Sequence, residues 1–102
     1  AIQFMLADMK TKVEASRLLT WKSAIEFDNG VTNTESAAHA KRFAADSCME
    51  VTTDAVQVFG GYGYSEEYPV ARLMRAAKVM QIYEGSSQVQ RMIIGREITK
   101  NL

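Results

Sequence analysis

The sequence has little cysteine, histidine or proline. It contains one cysteine, one histidine and one proline among 102 residues, with six glycines. A single cysteine, Cys48, excludes an intrachain disulfide framework. With His39 as the only histidine, the chain also lacks the clustered nitrogen and sulfur ligands of a zinc site. So few prolines and glycines argue against a disordered or loop-rich β chain, and we expect regular secondary structure and no bound metal.

The sequence also has no excess of positive or negative charge and no long apolar run. Lys plus Arg and Asp plus Glu both number 12, so the formal net charge is zero. Such a chain has no long-range positive field to draw it to nucleic acid. No stretch approaches the roughly 20 apolar residues that a membrane-spanning helix needs. The N-terminal segment has Asp8 inside it and no basic lead-in, unlike a signal peptide. We expect neither a nucleic-acid partner nor a membrane span.

The positions of the apolar residues predict four helices, of which the first two are long. In the first, apolar residues recur every three or four positions from Ile2 to Val13, and the stripe continues from Leu18 to Ile25 after a one-step shift, as in an amphipathic helix. The pattern ends at Asn29-Gly30, which tolerates the geometry of a helix end. The second helix is predicted to begin at the capping box Thr32-Asn33-Thr34-Glu35. It continues as an alanine-rich stripe and is predicted to end at Gly60-Gly61.

The last two predicted helices are shorter. The third is predicted to begin near Ser65, with Pro69 close to its first turn. The fourth takes Ser86 or Ser87 as its N-cap and extends to about Thr99. No segment has a convincing strand pattern, so the predicted fold is all-α, a compact up-and-down helical bundle. Because the chain opens directly into an apolar pattern without an initiator methionine, we expect it to be cut from a longer protein.

Two local features can carry chemistry, and each has a structural alternative. The stretch Gly60-Gly61-Tyr62-Gly63 is predicted to be flexible and lets a backbone approach a phosphate or a ring. It follows a helix rather than a strand, so local rules favour a C-cap and turn. Glu84, beside Tyr83 in a short loop, is a candidate general base. Local rules favour a solvated carboxylate near a helix dipole there.

Several motifs in fixed order resemble the C-terminal signature of acyl-CoA dehydrogenases. They are IQFMLADM at 2–9, DAVQVFGGYGY at 54–64, EYPV at 67–70, RAAK at 75–78 and QIYEGSSQVQR at 81–91. The resemblance covers essentially the whole chain. It implies that residues 1–102 are the C-terminal helical domain of such an enzyme, without the first helix of its bundle. Ala76 stands where the family commonly has Asp, so we expect a local ion pair or cap to be missing.

The resemblance also implies an activity. Family members are flavoproteins of fatty acid metabolism, typically homotetramers, which oxidise a saturated acyl-CoA to the trans-2-enoyl-CoA. They pass electrons from FAD to electron-transferring flavoprotein. Glu84 matches the catalytic base that takes the α-proton in short- and medium-chain members, including butyryl-CoA dehydrogenase-like enzymes. Gly85 matches the position that leaves room for the substrate beside that base.

Two segments match the family's FAD contacts. By resemblance, the first segment contacts the flavin and consists of Ser86, Ser87 and Gln88. The second segment contacts FAD held by the neighbouring subunit and consists of Gln57, Val58, Phe59, Gly60 and Gly61. The N-terminal residues Ile2 and Gln3 lie near that same FAD. The resemblance therefore assigns FAD to the glycine turn that local rules left as a cap.

The family's flavin-binding β domain and N-terminal helical domain are not in this sequence. We therefore expect the isolated chain neither to bind FAD tightly nor to oxidise acyl-CoA, and to self-associate through apolar surface. The expected compartment is the cytoplasm for a bacterial protein and the mitochondrial matrix for a eukaryotic one. The alternative function is a non-catalytic helical interaction or oligomerisation module with the family fold. Glu84 distinguishes the two, because only an enzyme needs its carboxylate.

Overall fold

The structure is a computed structural model that describes residues 1–102. It contains five helices and no strand, namely α1 (Ile2–Asp28), α2 (Thr34–Phe59), α3 (Gly61–Tyr64), α4 (Pro69–Met80) and α5 (Ser87–Thr99). The predicted all-α fold is confirmed, and the four longer helices follow the predicted order. No helix combines the length and the apolar character that crossing a membrane requires.

α1 and α2 form an antiparallel hairpin. Near its middle, Lys12 on α1 pairs with Glu50 on α2 at 2.5 Å. Near the turn, the side-chain amide of Asn33 donates to both the carbonyl and the hydroxyl of Ser23, each at 3.2 Å. An earlier residue of α1 thus pairs with a later residue of α2, and a later residue of α1 with an earlier one, so the two helices are antiparallel. The start of α1 and the end of α2 therefore lie at the same end of the hairpin.

The predicted capping box at the start of α2 does not form. The N-cap is Asn33, and no side chain there accepts a hydrogen bond from the first turn. A capping box needs its Glu three residues after the N-cap. With Asn33 as the cap, Glu35 is only two residues on, and Thr32 lies outside the helix. The physical reason is the contact across the turn, because the Asn33 amide binds Ser23 of α1.

The glycine stretch after α2 differs from the flexible turn that was predicted. Gly60 ends α2 with φ 67° and ψ −143°, a region open essentially to glycine alone. The next four residues form the single helical turn α3. Gly63 in that turn is buried, and a Cβ there would lie 2.5 Å from the carbonyl oxygen of Val56 and 2.7 Å from Cβ of Phe59. Close packing against α2 therefore orders this segment.

α4 begins at Pro69, later than the predicted start near Ser65. Tyr68 is its N-cap, in an extended conformation, and Pro69 occupies the first helical turn. The hydroxyl of Ser65 accepts a hydrogen bond from the backbone N–H of Glu67 at 3.2 Å. Ser65 thus stabilises a turn before the helix rather than the helix itself, which is a common alternative use of serine.

α2 is the central helix of the fold. It packs against α1, α3, α4 and α5, whereas α4 and α5 make no contact with each other and α1 packs only on α2. The buried apolar residues are small, which lets the helices approach closely. They are Ala38, Ala40 and Ala45 on α2, with Val70 and Ala77 on α4.

The molecule is elongated rather than the compact bundle that was predicted. Its principal extents are 50 × 25 × 24 Å and its radius of gyration is 15.9 Å, against about 13 Å for a compact chain of this length. It exposes 7319 Å², about a quarter more than the roughly 5,800 Å² typical of its mass. Large apolar side chains contribute to this surface, among them Phe4 (76 % exposed) and Trp21 (57 %). The helices therefore present much apolar surface outward.

Candidate functional site

The segment between α4 and α5, residues 81–86, is named the Glu84 loop. Its ends are joined by a hydrogen bond from the backbone N–H of Ser87 to the carbonyl of Gln81 at 3.0 Å. Ser86 is the N-cap of α5, and its hydroxyl accepts from the N–H of Val89 at 3.2 Å. The prediction of a serine cap at this position is confirmed. The loop is thus a closed turn between two helix ends.

Glu84 has the only positive φ of any non-glycine residue in the chain, 53°. Such a conformation costs on the order of 1–3 kcal/mol and is common at functional sites. Its side chain is exposed and makes no hydrogen bond or ion pair. The structure therefore presents a carboxylate to solvent from a strained backbone.

Gly85 follows with φ 90°, a conformation that glycine adopts without strain but other residues rarely do. A Cβ added there would lie 2.5 Å from the side-chain nitrogen of Gln90. That same nitrogen donates to the carbonyl oxygen of Gly85 at 3.2 Å. Any side chain at Gly85 would therefore be strained and would displace Gln90. The structure requires glycine beside the exposed carboxylate.

Three consecutive backbone N–H groups in the loop are free. Those of Glu84, Gly85 and Ser86 donate to no acceptor in the protein, whereas the flanking Tyr83 and Ser87 N–H groups are both bonded. Clustered free N–H donors can hold an anion or an oxygen that gains negative charge. The loop therefore combines a free carboxylate with free hydrogen-bond donors.

Lys41 on α2 contacts the loop at two points. Its ammonium group donates to the carbonyl oxygen of Met80 at 2.6 Å and to that of Gly85 at 3.3 Å. The Met80 carbonyl belongs to the last residue of α4, where helix carbonyls lack an intrahelical partner. Lys41 thus satisfies one of these carbonyls and joins it to the residue next to Glu84.

Asp46, also on α2, contacts both ends of the loop. Its Oδ1 accepts from the amide of Gln81 at 2.8 Å and from the hydroxyl of Ser87 at 2.7 Å. Partial burial raises the pKa of the Asp46 carboxyl, but these hydrogen bonds and the positive charges of Arg91 and Arg42 outweigh it. The net result is a pKa below the ordinary value. Asp46 is therefore held in its ionised form.

Sequence reasoning missed Lys41, Asp46 and Gln90 as parts of this site. Lys41 is 44 positions from Gly85, and Asp46 is 41 positions from Ser87. No local rule connects residues so far apart in the chain. The one available signal was that Lys41 and Asp46 are charged residues within an alanine-rich stripe. A charge on the packed face of a helix indicates a partner on a neighbouring element.

The two predicted FAD-binding segments lie apart in this chain. The loop packs against α2 near Asp46, whereas Gln57, Val58 and Phe59 form the last turn of α2 and are followed by Gly60 and Gly61. A helical rise of 1.5 Å per residue puts Phe59 about 20 Å from Asp46. Ile2 and Gln3, at the start of α1, share the hairpin end with the second segment. The structure thus groups the predicted residues into two sets.

The exposed polar groups of both sets fit a polar cofactor. A Cβ at Gly60 or Gly61 would meet no atom within 4 Å, so the backbone there is open to a ligand. Gln57 and Gln88 are exposed, and Ser87 and Gln88 border a cleft of about 330 Å³. The Ser87 hydroxyl, however, already donates to Asp46. No three His, Cys, Asp or Glu residues lie close enough to hold a metal ion.

The order and packing of these helices are shared with a solved dehydrogenase structure. The family model described as "Acyl-CoA dehydrogenase, C-terminal domain" matches residues 1–99. The chain belongs to the acyl-CoA dehydrogenase family.

Bacterial members of this family are similar to the chain in sequence and in structure. The short-chain-specific acyl-CoA dehydrogenase of Megasphaera elsdenii is 59 % identical over 95 residues, which are 93 % of this chain and 25 % of that protein. Cyclohexane-1-carbonyl-CoA dehydrogenase of Geobacter metallireducens is 52 % identical over 99 residues, which are 97 % of this chain and 26 % of that protein. The chain thus spans about a quarter of the length of these relatives.

Solved structures give the same result. The butyryl-CoA dehydrogenase of Megasphaera elsdenii superposes with a TM-score of 0.93 at 58 % identity, over 95 % of this chain and 25 % of that one. A chain from a structural study of the electron-transferring flavoprotein of Acidaminococcus fermentans and flavin-based electron bifurcation gives a TM-score of 0.96. The two chains are 54 % identical, and the aligned region covers 98 % of this chain and 26 % of that one. The predicted fold family is confirmed.

Proposed function

We propose that this chain works as the C-terminal helical part of a longer, FAD-dependent acyl-CoA dehydrogenase, in which Glu84 is the base that removes the α-proton of the substrate. The observation that carries the proposal is the exposed, unpaired Glu84 carboxylate on a strained backbone beside free N–H donors. The family membership supplies the substrate class, an acyl-CoA thioester. The product is the trans-2-enoyl-CoA.

The proton step uses groups of the Glu84 loop. The Glu84 carboxylate accepts the α-proton, and the electron pair of that C–H bond moves toward the thioester carbonyl, whose oxygen gains negative charge. The free N–H of Glu84 is available as a hydrogen-bond donor to that oxygen. Gly85 has no side chain to occupy the space next to the base. FAD, when bound, supplies the acceptor for the hydride that leaves the β-carbon.

The cofactor contacts are proposed as two sets. Ser86, Ser87 and Gln88 would contact the flavin, with Ser87 contributing its backbone because its hydroxyl is bonded to Asp46. Gln57, Val58, Phe59, Gly60 and Gly61, with Ile2 and Gln3, would contact FAD held by a neighbouring subunit. By the family resemblance the two sets contact two different FAD molecules, so we propose a homo-oligomer, for which the family suggests a tetramer.

The proposed electron acceptor is electron-transferring flavoprotein. A structural relative comes from a study of that partner in Acidaminococcus fermentans, which supports the pairing. We propose the cytoplasm as the compartment if the source is a bacterium and the mitochondrial matrix if it is a eukaryote. Both assignments follow from the proposed activity, since the substrate and the electron acceptor must be in the same compartment as the enzyme.

The test is Glu84→Gln in the full-length flavoprotein that carries this chain. Flavin reduction is followed in a single anaerobic turnover with butyryl-CoA as the probe. We expect the rate to fall by about 10²–10⁴-fold, the usual contribution of a general base. The flavin content should be unchanged, because the loop keeps its shape. Glu66→Gln, at an exposed position outside the Glu84 loop, is the matched control and should reduce flavin as fast as the wild type.

An unchanged rate in Glu84→Gln would refute the assignment and favour the non-catalytic interaction module, in which the substitution is silent. The isolated 102-residue chain, mixed with FAD and butyryl-CoA, is a second control. It should not reduce an electron-accepting dye, because the proposed enzyme needs the rest of the protein to hold the cofactor. Dye reduction by the isolated chain would contradict that part of the proposal.

A further inference from the structure

We propose that Lys41 and Asp46 are positioning residues that hold the Glu84 loop in its strained conformation. The inference rests on the proposed role of Glu84 as the base. It goes beyond that role because it assigns the geometry of the base to two side chains of another helix. Neither side chain bonds to the Glu84 carboxylate, so both would act through the backbone of the loop.

The helices on either side of the loop provide only part of its support, through the Ser87–Gln81 backbone bond and the Gln90 side chain. α4 and α5 make no contact with each other, and both pack on α2. The two ends of the loop are therefore held together by the Ser87–Gln81 backbone bond and by how each helix is fixed to α2. Glu84 has a positive φ value, which persists in an L-residue only when the surroundings enforce it. The contacts from α2, together with the Gln90 side chain, are the contacts that can enforce it.

Lys41 bonds the backbone before and after Glu84. Its ammonium group bonds the carbonyl oxygen of Met80 before the loop and that of Gly85 within it, at 2.6 and 3.3 Å. The side chain of Gln90 donates to the same Gly85 carbonyl at 3.2 Å. With its carbonyl held by two donors, the Gly85 peptide cannot rotate freely. That carbonyl belongs to the Gly85–Ser86 peptide, one residue after Glu84, so holding it limits how far the backbone next to the base can move.

Asp46 fixes the two ends of the loop. One of its oxygens accepts from both Gln81 and Ser87, at 2.8 and 2.7 Å, and the backbones of these two residues are also bonded to each other. Lys78 donates to the other side of the Gln81 amide at 3.1 Å, which orients that amide toward Asp46. A shared acceptor therefore holds the first residue after α4 against the first residue of α5.

The experiment uses the full-length flavoprotein and measures single-turnover flavin reduction with butyryl-CoA and with its α-deuterated form. We expect Lys41→Met to lower the reduction rate by about 10–100-fold, as a displacement of about 1 Å does. The FAD content and the dissociation constant for butyryl-CoA should stay near wild type. The isotope effect should be at least as large as in the wild type, because proton removal becomes slower. Lys41→Arg, which keeps a cationic donor, should recover part of the rate.

Asp46 gives an independent arm of the experiment. Asp46→Asn keeps the Oδ1 acceptor and should retain most of the rate, whereas Asp46→Leu removes both hydrogen bonds and should lose it as Lys41→Met does. The matched control is Lys10→Met, since Lys10 is exposed and pairs only with Glu14 of its own helix. It should behave as the wild type. If Lys41→Met does not fold, Lys41→Gln takes its place with the same expected loss.

The outcomes separate this inference from the proposed function. If Glu84→Gln reduces flavin normally, the base assignment fails and this inference fails with it. If Glu84→Gln is inactive while Lys41→Met and Asp46→Leu keep wild-type rates, the base stands and the positioning role is overturned. A rate that falls only in proportion to lost FAD also overturns it, since the residues would then be merely structural.

Discussion

Gly63 provides a direct test of how tightly α3 packs against α2. Its backbone is helical, so an alanine is compatible with the conformation and by itself would stabilise the chain by about 0.4–1 kcal/mol. The added Cβ, however, would lie 2.5 Å from the carbonyl oxygen of Val56 and 2.7 Å from Cβ of Phe59. Neither atom is the free end of a flexible side chain, so the helical turn must move. Such overpacking costs about 1–3 kcal/mol, and we expect Gly63→Ala to be net destabilising.

The matched control is Gly95→Ala in α5, where a Cβ would meet nothing within 4 Å. There the gain in helix propensity is not opposed, so we expect stabilisation by about 0.5–1 kcal/mol. The assay is urea unfolding of the chain followed by far-ultraviolet circular dichroism, with the midpoints of the two variants compared. If Gly63→Ala unfolds at a urea concentration equal to or above that of Gly95→Ala, the close approach of α3 to α2 is refuted.

Two further predictions concern acid and association. The pKa of Asp46 is lower in the folded chain than its ordinary value of 3.8, so its ionised form stabilises the fold. That stabilisation is complete above the ordinary pKa and is lost as the pH falls through the lowered one. The urea midpoint should therefore fall less on acidification to about pH 3 in Asp46→Asn than in the wild type, and equal loss would contradict this. The exposed apolar side chains of α1 should drive self-association of the isolated chain, giving a light-scattering mass above 11.4 kDa. Phe4→Asp should lower that mass, and a wild-type monomer at high concentration would disprove the prediction.

The helices were predictable because their signals are local. Apolar periodicity placed α1 and α2, and the hydroxyl of Ser86 caps α5 as its sequence context suggested. The errors arose where a tertiary contact replaced a local one. Asn33 became the cap of α2 because its amide binds Ser23 across the turn. The segment after Gly60 became helical because it packs against the end of α2.

The site was predictable only where it is contiguous in the chain. The motif around Glu84 pointed to the loop, and the positive φ of Glu84 and Gly85 agrees with an unusual role for this turn. The sequence did not reveal that Lys41 and Asp46 hold that turn, because their partners are 35 to 44 positions away. Nor did it reveal that the hydroxyl of Ser87 is bonded to Asp46. Such pairings depend on how two helices are aligned, which no local pattern encodes.

The position of Lys41 and Asp46 on one continuous helix has a consequence for how this protein can change in evolution. The two residues are five positions apart, a rise of about 7.5 Å, and their partners lie on α4, on α5 and in the Glu84 loop between them. Inserting or deleting one residue between them would rotate one side chain by about 100° relative to the other. The Glu84 loop would then lose the contacts of either Lys41 or Asp46, whichever residue was inserted or deleted. We expect the length of α2 between these positions to be invariant among active relatives, while residues 29–31 of the turn before α2 tolerate insertions.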